Sequence, residues 1–327
     1  MKKHITALSV TCLASFLGFS ICSTAHAEDN SWKGAFQPLP EIAPSADHPS
    51  SPEKIALGKS LYMDTRLSKN DKMSCNTCHN ISTFGVDNEP TSPGHEGKRG
   101  GRNSPSSFNA ALHVAQFWDG RAKDVEAQAL GPILNPIEMG MESEEKVVEK
   151  LKKDPNTVAA FKAAFPEQAD PLTYKNIGEA IGAFERTLIT PSRFDAYLKG
   201  DDNALTAEEK AGGKLFVQTG CTACHMGATL GGQLYQKLGL VKDYPTQDLG
   251  RFEVTKLEAD KKMFKVPSLR NVAKTGPYFH DGSVKTLEEA VHQMGEYQLG
   301  KNLSKEEVAS IVTFLNTLTG TPPVSAN

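Results

Sequence analysis

The chain lacks a strong excess of either charge. Its 327 residues carry 36 Lys and Arg against 39 Asp and Glu, so the basic face that nucleic-acid binding requires is missing. Apolar runs long enough to cross a bilayer are missing after the first two dozen residues. Extended stretches that alternate apolar and polar residues are scarce, which argues against a sandwich or barrel and for a mainly helical chain. Hydrophobic residues make up 39% and charged residues 23%, ordinary for a globular protein of about two domains. Cysteine is also scarce: there are 6, and their placement carries most of what the sequence says.

Residues 1–27 read as an export signal. The basic "MKK" precedes the apolar "ITALSVTCLASFLGFSIC", and "AHA" offers Ala25 and Ala27 as small residues before a cleavage point. Removal takes away Cys12 and Cys22, and with Lys2 and Lys3 the net charge falls from −3 to −5. The expected location is periplasmic. Cys75, Cys78, Cys221 and Cys224 then remain, as "CNTCH" and "CTACH".

Two C-x-x-C-H motifs admit three readings. A redox dithiol needs only the cysteines, and a zinc site would draw on all four. Covalent haem attachment uses both sulfurs as thioethers and the histidine as the iron's proximal ligand. With 9 histidines in the chain, chance places one after both pairs on the order of once in a thousand chains. The spacing therefore implies two covalently bound c-type haems, with His79 and His225 proximal.

A second axial ligand for the later haem must come from a methionine or histidine. Met226 adjoins the proximal histidine and cannot reach the opposite face. Met294 is preferred, its plainer alternative being a core methionine at a helix end, and Met263 is the fallback. "TLEEAVHQMG" is expected to be a helix opened by a capping box, Thr286 with Glu289, and closed at Gly295. A final helix follows, with Ser304 and Glu307 as its box and Val308, Ile311, Val312, Leu315 and Leu318 on one face.

The segments before the motifs match: "LGKSLY" at 57–62 aligns with "AGGKLF" at 211–216, pairing Gly58 with Gly212. The expected architecture is mainly α, two cytochrome-c-like haem domains spanning 28–195 and 196–327, joined by a linker near 190–205. After the first motif comes "EPTSPGHEGKRGGRNSPSS", rich in turn residues and poor in apolar ones. His95 within it is either an exposed loop histidine or a removable ligand of the first iron. Trp118 reads as a packed aromatic and Glu138 as a surface or capping carboxylate. His113, His280 and His292 receive no role.

The combination of "MSCNTCH", the His95 loop, "RNSPSSFNA", "QFWDGRAKDVEAQALGPILNPIEMG", "CTACH", "VPSLRNVAKTGPYFHDG" and "HQM" resembles the bacterial dihaem cytochrome c peroxidases over essentially the whole mature chain. The resemblance implies a first, low-potential peroxidatic haem with His79 proximal and His95 as displaceable distal ligand. It implies a second, high-potential haem held by His225 and Met294, which accepts electrons. It places Trp118 between the haems, Glu138 as catalytic acid/base beside Gln128, and Asn103, Thr275 and Pro277 at a calcium site between the domains. Hydrogen peroxide would be the substrate and a small cytochrome c or copper protein the donor, with a homodimer also allowed. A related dihaem enzyme that oxidises tryptophans of a partner carries tyrosine where this chain has Met294, and a dihaem carrier without catalysis is the other alternative.

Overall fold

The computed structural model describes residues 31–323. The export signal read at 1–27 lies outside the described residues. Within them run helices α1 (Pro52–Tyr62), α2 (Cys75–Cys78), α3 (Val125–Leu134), α4 (Glu144–Lys152), α5 (Pro155–Ala164), α6 (Tyr174–Glu185), α7 (Arg193–Leu198), α8 (Ala207–Thr219), α9 (Phe252–Thr255), α10 (Leu287–Gln293) and α11 (Lys305–Asn316). One short antiparallel ribbon pairs β1 (Tyr235–Lys237) with β2 (Met263–Lys265). No helix among the described residues is long and apolar enough to cross a membrane.

Two helix crossings organise the fold, one in each half. Gly58 of α1 lies against the Ala180 carbonyl of α6, and Gly212 of α8 lies against the Ser310 carbonyl of α11. Only glycine lets the backbones come this close. Each crossing anchors its own apolar cluster. The first is built on Leu57, Leu61, Tyr62, Ile133, Phe161, Ile177, Ile181 and Phe184. The second holds Phe216, Val308, Ile311, Phe314, Leu315 and Leu318, and takes in Trp32 and Phe36 from the start of the described chain.

The capping residues act much as their chemistry requires. Thr206 and Ser304 form reciprocal boxes with Glu209 and Glu307. Thr286 accepts from the Glu289 amide at 3.1 Å, but the reciprocal half is not made; the Glu289 carboxylate instead accepts from Gln293 at 3.1 Å. Nor does that helix end at Gly295. The backbone widens into a π-helical turn, Met294–Gln298, a feature that often marks a functional position. The stretch expected as a linker contains α7, whose Phe194 and Tyr197 are fully buried in the second cluster. Its turn residues suggested a loose connector, but the apolar burial of those two rings outweighs them.

The halves are joined by polar ties. Asn109 and Asn271 both adopt a left-handed backbone, at φ 61 and 60. Both donate their side-chain amides to the Thr190 hydroxyl, at 2.8 and 2.9 Å. Arg102 grips Asp119 at 2.6 Å and Asp248 at 2.7 and 2.8 Å. The Lys265 amide donates to the Trp118 carbonyl at 2.8 Å.

Candidate haem and peroxide sites

Each C-x-x-C-H motif opens into its own cavity. The first, about 170 Å³, is lined by Cys75, Cys78 and His79 together with Trp118, Arg121, Gln128, Pro132, Glu138 and Glu185. The second, about 250 Å³, is lined by Cys221, Cys224 and His225 with Met294, and its wall is mostly apolar. The cysteine pairs thus serve separate chambers and do not form one four-sulfur zinc site. The thiols are also unsuited to redox exchange, which needs a stabilised thiolate. Burial pushes Cys78 up to about 11 and Cys221 up to about 12, and raises Cys75 and Cys224 as well.

The two histidines are prepared alike. His79 Nδ1 lies 3.0 Å from the Pro105 carbonyl and His225 Nδ1 lies 2.9 Å from the Leu230 carbonyl. A carbonyl can only accept, so each ring carries its proton on Nδ1 and presents a bare Nε2. Burial holds both imidazoles below their usual pKa and so neutral. A neutral ring oriented through its other nitrogen is the form that ligates a metal. Paired thiols, an oriented imidazole and an enclosed apolar chamber fit a thioether-bound haem at both places.

The cavities share a wall. Trp118, Phe117 and Asn103 line both, and Trp118 Nε1 donates to the Asn103 carbonyl at 2.9 Å. Trp118 therefore stands between the two chambers. Arg121 is stacked on Phe117 at 3.4 Å and bonded to Asp119 at 3.0 and 3.1 Å. Glu138 is partly buried, and its carboxylate accepts no hydrogen bond among the described residues. Burial raises its pKa while Arg121 opposes the rise.

The walls are built on a repeated turn. Gln116 bridges Ala122 just as Tyr278 bridges Val284. Phe117 and Phe279 have φ 65 and 70, and Gly120 and Gly282 have φ 70 and 63. Each turn runs into a helix capped by Asp124 or Thr286. In this register Trp118 corresponds to His280, Gln128 to Ala290 and Pro132 to Met294. The position that offers a thioether sulfur to the second cavity holds in the first a residue with no donor atom.

His95 does not line the first cavity. Its amide and its Nδ1 lie 2.8 and 3.2 Å from the Glu138 carbonyl, and Asn70 donates to its carbonyl at 2.8 Å. The ring packs on Gly140, where a Cβ would come within 2.3 Å of it. Met263 is absent from the second cavity; its carbonyl accepts from Arg251 at 2.7 Å. Asn103, Thr275 and Pro277 all line that cavity. Asn103 donates to the Glu89 and Pro90 carbonyls at 2.9 and 3.3 Å, leaving its oxygen as the free end. Asn88 occupies the Lys274 and Gly276 carbonyls, whereas those of Thr275 and Pro277 accept nothing among the described residues.

Three residues without an assigned role also line these chambers. His113 and His280 lie in the second. Glu185 lies in the first, its carboxyl raised to about 8 by burial, with Glu126 adding to the rise. No local motif marks them; only the fold brings them to the walls. His292 is exposed and lines neither cavity.

The model for "Di-haem cytochrome c peroxidase" matches residues 52–203 and that for "Cytochrome c" matches residues 209–319. A cytochrome c551 peroxidase of Pseudomonas aeruginosa is 50% identical over 296 residues, covering 88% of this chain and 85% of its own. The chain belongs to the di-haem cytochrome c peroxidase family. A methylamine utilization protein MauG of Methylorubrum extorquens is more distant, 36% identical over 86% of this chain and 83% of its own. Among solved structures, a MauG-like protein associated with microbial copper homeostasis superposes with a TM-score of 0.79 at 32% identity, over 86% of this chain and 93% of that one. The two family models meet between α7 and α8 and divide the chain into its two haem-bearing halves.

Proposed function

We propose that this peroxidase reduces hydrogen peroxide to two waters, taking up two electrons and two protons, and that the two halves divide the work. The observation that carries the division is Pro132 standing where the second half has Met294. A haem bound through Cys75, Cys78 and His79 would supply a metal able to take peroxide, and one bound through Cys221, Cys224, His225 and Met294 a saturated, higher-potential electron store.

The chain's own groups do the rest. Glu138 takes the proton from the near peroxide oxygen and delivers it to the far one, which leaves as water. A carboxylate with a raised pKa and no hydrogen-bond partner is suited to both halves of that transfer. Gln128 and Arg121 orient the bound peroxide. Trp118, which lines both chambers and is hydrogen-bonded to Asn103, carries electrons between them. His95 blocks the first chamber in the resting state and leaves it when its loop rearranges. Its packing on Gly140 is a ready-made position for the released ring.

Asn103 and the carbonyls of Thr275 and Pro277 hold a calcium ion, which favours such hard oxygen ligands. The donor is a small cytochrome c or copper protein that docks briefly. The enzyme is exported to the periplasm. The test is peroxide consumption by the fully oxidised and the half-reduced holoprotein, followed with the spectra of both haems. Turnover by either form, with the second haem remaining His/Met-ligated, supports the assignment. If neither form consumes peroxide, the protein is an electron carrier.

A further inference from the structure

We propose that His113 and Lys265, which meet across the two halves on the wall of the second cavity, form a carboxylate site, and that its occupant is a propionate of the haem attached at Cys221 and Cys224. The inference rests on the haem assignment above but not on peroxide chemistry.

Lys265 ends β2 and is 6% exposed. Among the described residues its ammonium has no carboxylate partner; it touches only His113 Nδ1, at 3.3 Å. A desolvated ammonium without an anion is costly and rare. Burial lowers its pKa to about 8, so it still carries its charge at neutral pH. An ammonium can only donate, so His113 Nδ1 accepts, and the ring proton therefore sits on Nε2. That Nε2 is buried and has no partner. The cavity wall thus presents one buried cation and one buried N–H donor with no acceptor between them.

A second orphan points the same way. His280 Nδ1 is also buried without a partner, while its Nε2 is occupied by Thr246 at 3.0 Å. Of the buried side-chain polar atoms without partners among the described residues, His113 Nε2 and His280 Nδ1 belong to this one cavity and only Trp32 Nε1 lies elsewhere. Water could satisfy an N–H but could not neutralise Lys265. A haem brings two carboxylates with it. The site is also sterically prepared: Gly232, at φ +78, leaves room for the His113 ring where a Cβ would come within 2.3 Å. Because His113 comes from the first half and Lys265 from the second, one propionate would fasten the halves together.

The test uses holoprotein carrying Lys265→Gln, Lys265→Arg or His113→Phe, with both haems attached. Two quantities are read: the midpoint potential of each haem by spectroelectrochemical titration, and the propionate-bending bands in resonance Raman spectra. Loss of a nearby cation disfavours the reduced haem, which carries one more negative charge. Lys265→Gln is expected to shift the ferric/ferrous balance of the second haem tenfold or more, a drop of about 59 mV. The first haem should move less and Lys265→Arg should recover most of the shift. His113→Phe should move the second haem's propionate band with a smaller change in potential. If Lys265→Gln does not fold, the His113→Phe band decides. Unchanged potentials and bands in attached-haem variants overturn the proposal. Peroxide turnover plays no part, so a protein that shows these shifts without turnover loses the peroxidase reading and keeps this site.

Discussion

Adding one methyl group at either helix crossing should separate the two halves experimentally. At Gly212 a Cβ would stand 2.1 Å from the Ser310 carbonyl oxygen, and at Gly58 only 1.8 Å from that of Ala180. Ordinary contact begins at 3.4 Å, so the helices must part by about 1.3 Å and 1.6 Å. Two effects compete. Glycine to alanine within a helix is worth about 0.5–1 kcal/mol in favour of folding. Overpacking costs about 1–3 kcal/mol, and more when backbone rather than a flexible side chain stands in the way. The obstacle here is backbone, so each alanine should cost roughly 2 kcal/mol net, a fall in Tm of roughly 4–8 °C.

The damage should also be local to one haem. Helix α1 ends in Tyr62, whose hydroxyl donates to the His79 carbonyl at 2.6 Å and contacts Ser107 at 3.0 Å. Helix α8 carries Phe216, edge-on to His225 at 6.5 Å. Gly58→Ala should disturb the absorbance of the first haem and Gly212→Ala that of the second. Gly101→Ala, with nothing within 4 Å, is the control. A rise in Tm for either crossing variant, as helix propensity alone would give, refutes the packing argument.

Glu138→Gln should keep both haems and slow turnover about 100- to 10,000-fold, or roughly 2.7–5.4 kcal/mol in the barrier; wild-type steady-state rates would remove Glu138 from the reaction. Pro132→Met should place a sulfur on the wall of the first cavity, raising the low-spin fraction of that haem and cutting peroxide turnover, and unchanged spectra and rates would show that this position does not control access. His48 sits 2.9 Å from Glu179, 3.2 Å from Asp124 and 4.0 Å from Glu126; burial pulls its pKa down, but the carboxylates outweigh burial and hold it above 6.5. The stability this adds is full below about 6.5 and is lost as pH rises through the folded value, so His48→Gln should flatten the Tm–pH curve there; a curve of unchanged slope counts against the pairing.

Legibility in the sequence followed the range of the interaction. Motifs whose chemistry is local could be read outright. The C-x-x-C-H runs, the boxes at Thr206 and Ser304, and the glycine pair Gly58 and Gly212 all depend on neighbours a few residues away or on a repeated segment. What could not be read depends on distant partners. Phe194 and Tyr197 looked like linker residues because the cluster that buries them comes from α8 and α11. The helix at Met294 does not close at Gly295, and Leu303, from beyond the turn, packs against that glycine. His113 and Lys265 are 152 residues apart, and no periodicity links them.

The repeated turns show how a pair of matched halves becomes a pair with different chemistry. The scaffold positions are kept where geometry demands them: the left-handed phenylalanine, the glycine three residues on, the helix cap, and an asparagine on each side of Thr190. The changes fall on side chains that face the cavities. Met294 becomes Pro132, which takes away the sulfur; α3 continues through the proline to Leu134, whereas the backbone at Met294 opens the π-helical turn. Ala290 becomes Gln128, which adds polarity where the sulfur is missing. His280 becomes Trp118, which exchanges an imidazole whose Nδ1 has no partner among the described residues for a ring whose N–H is tied to Asn103. Under the proposed assignment, these three differences on a repeated frame remove from the first chamber the sulfur that the second offers, with an aromatic wall shared between them.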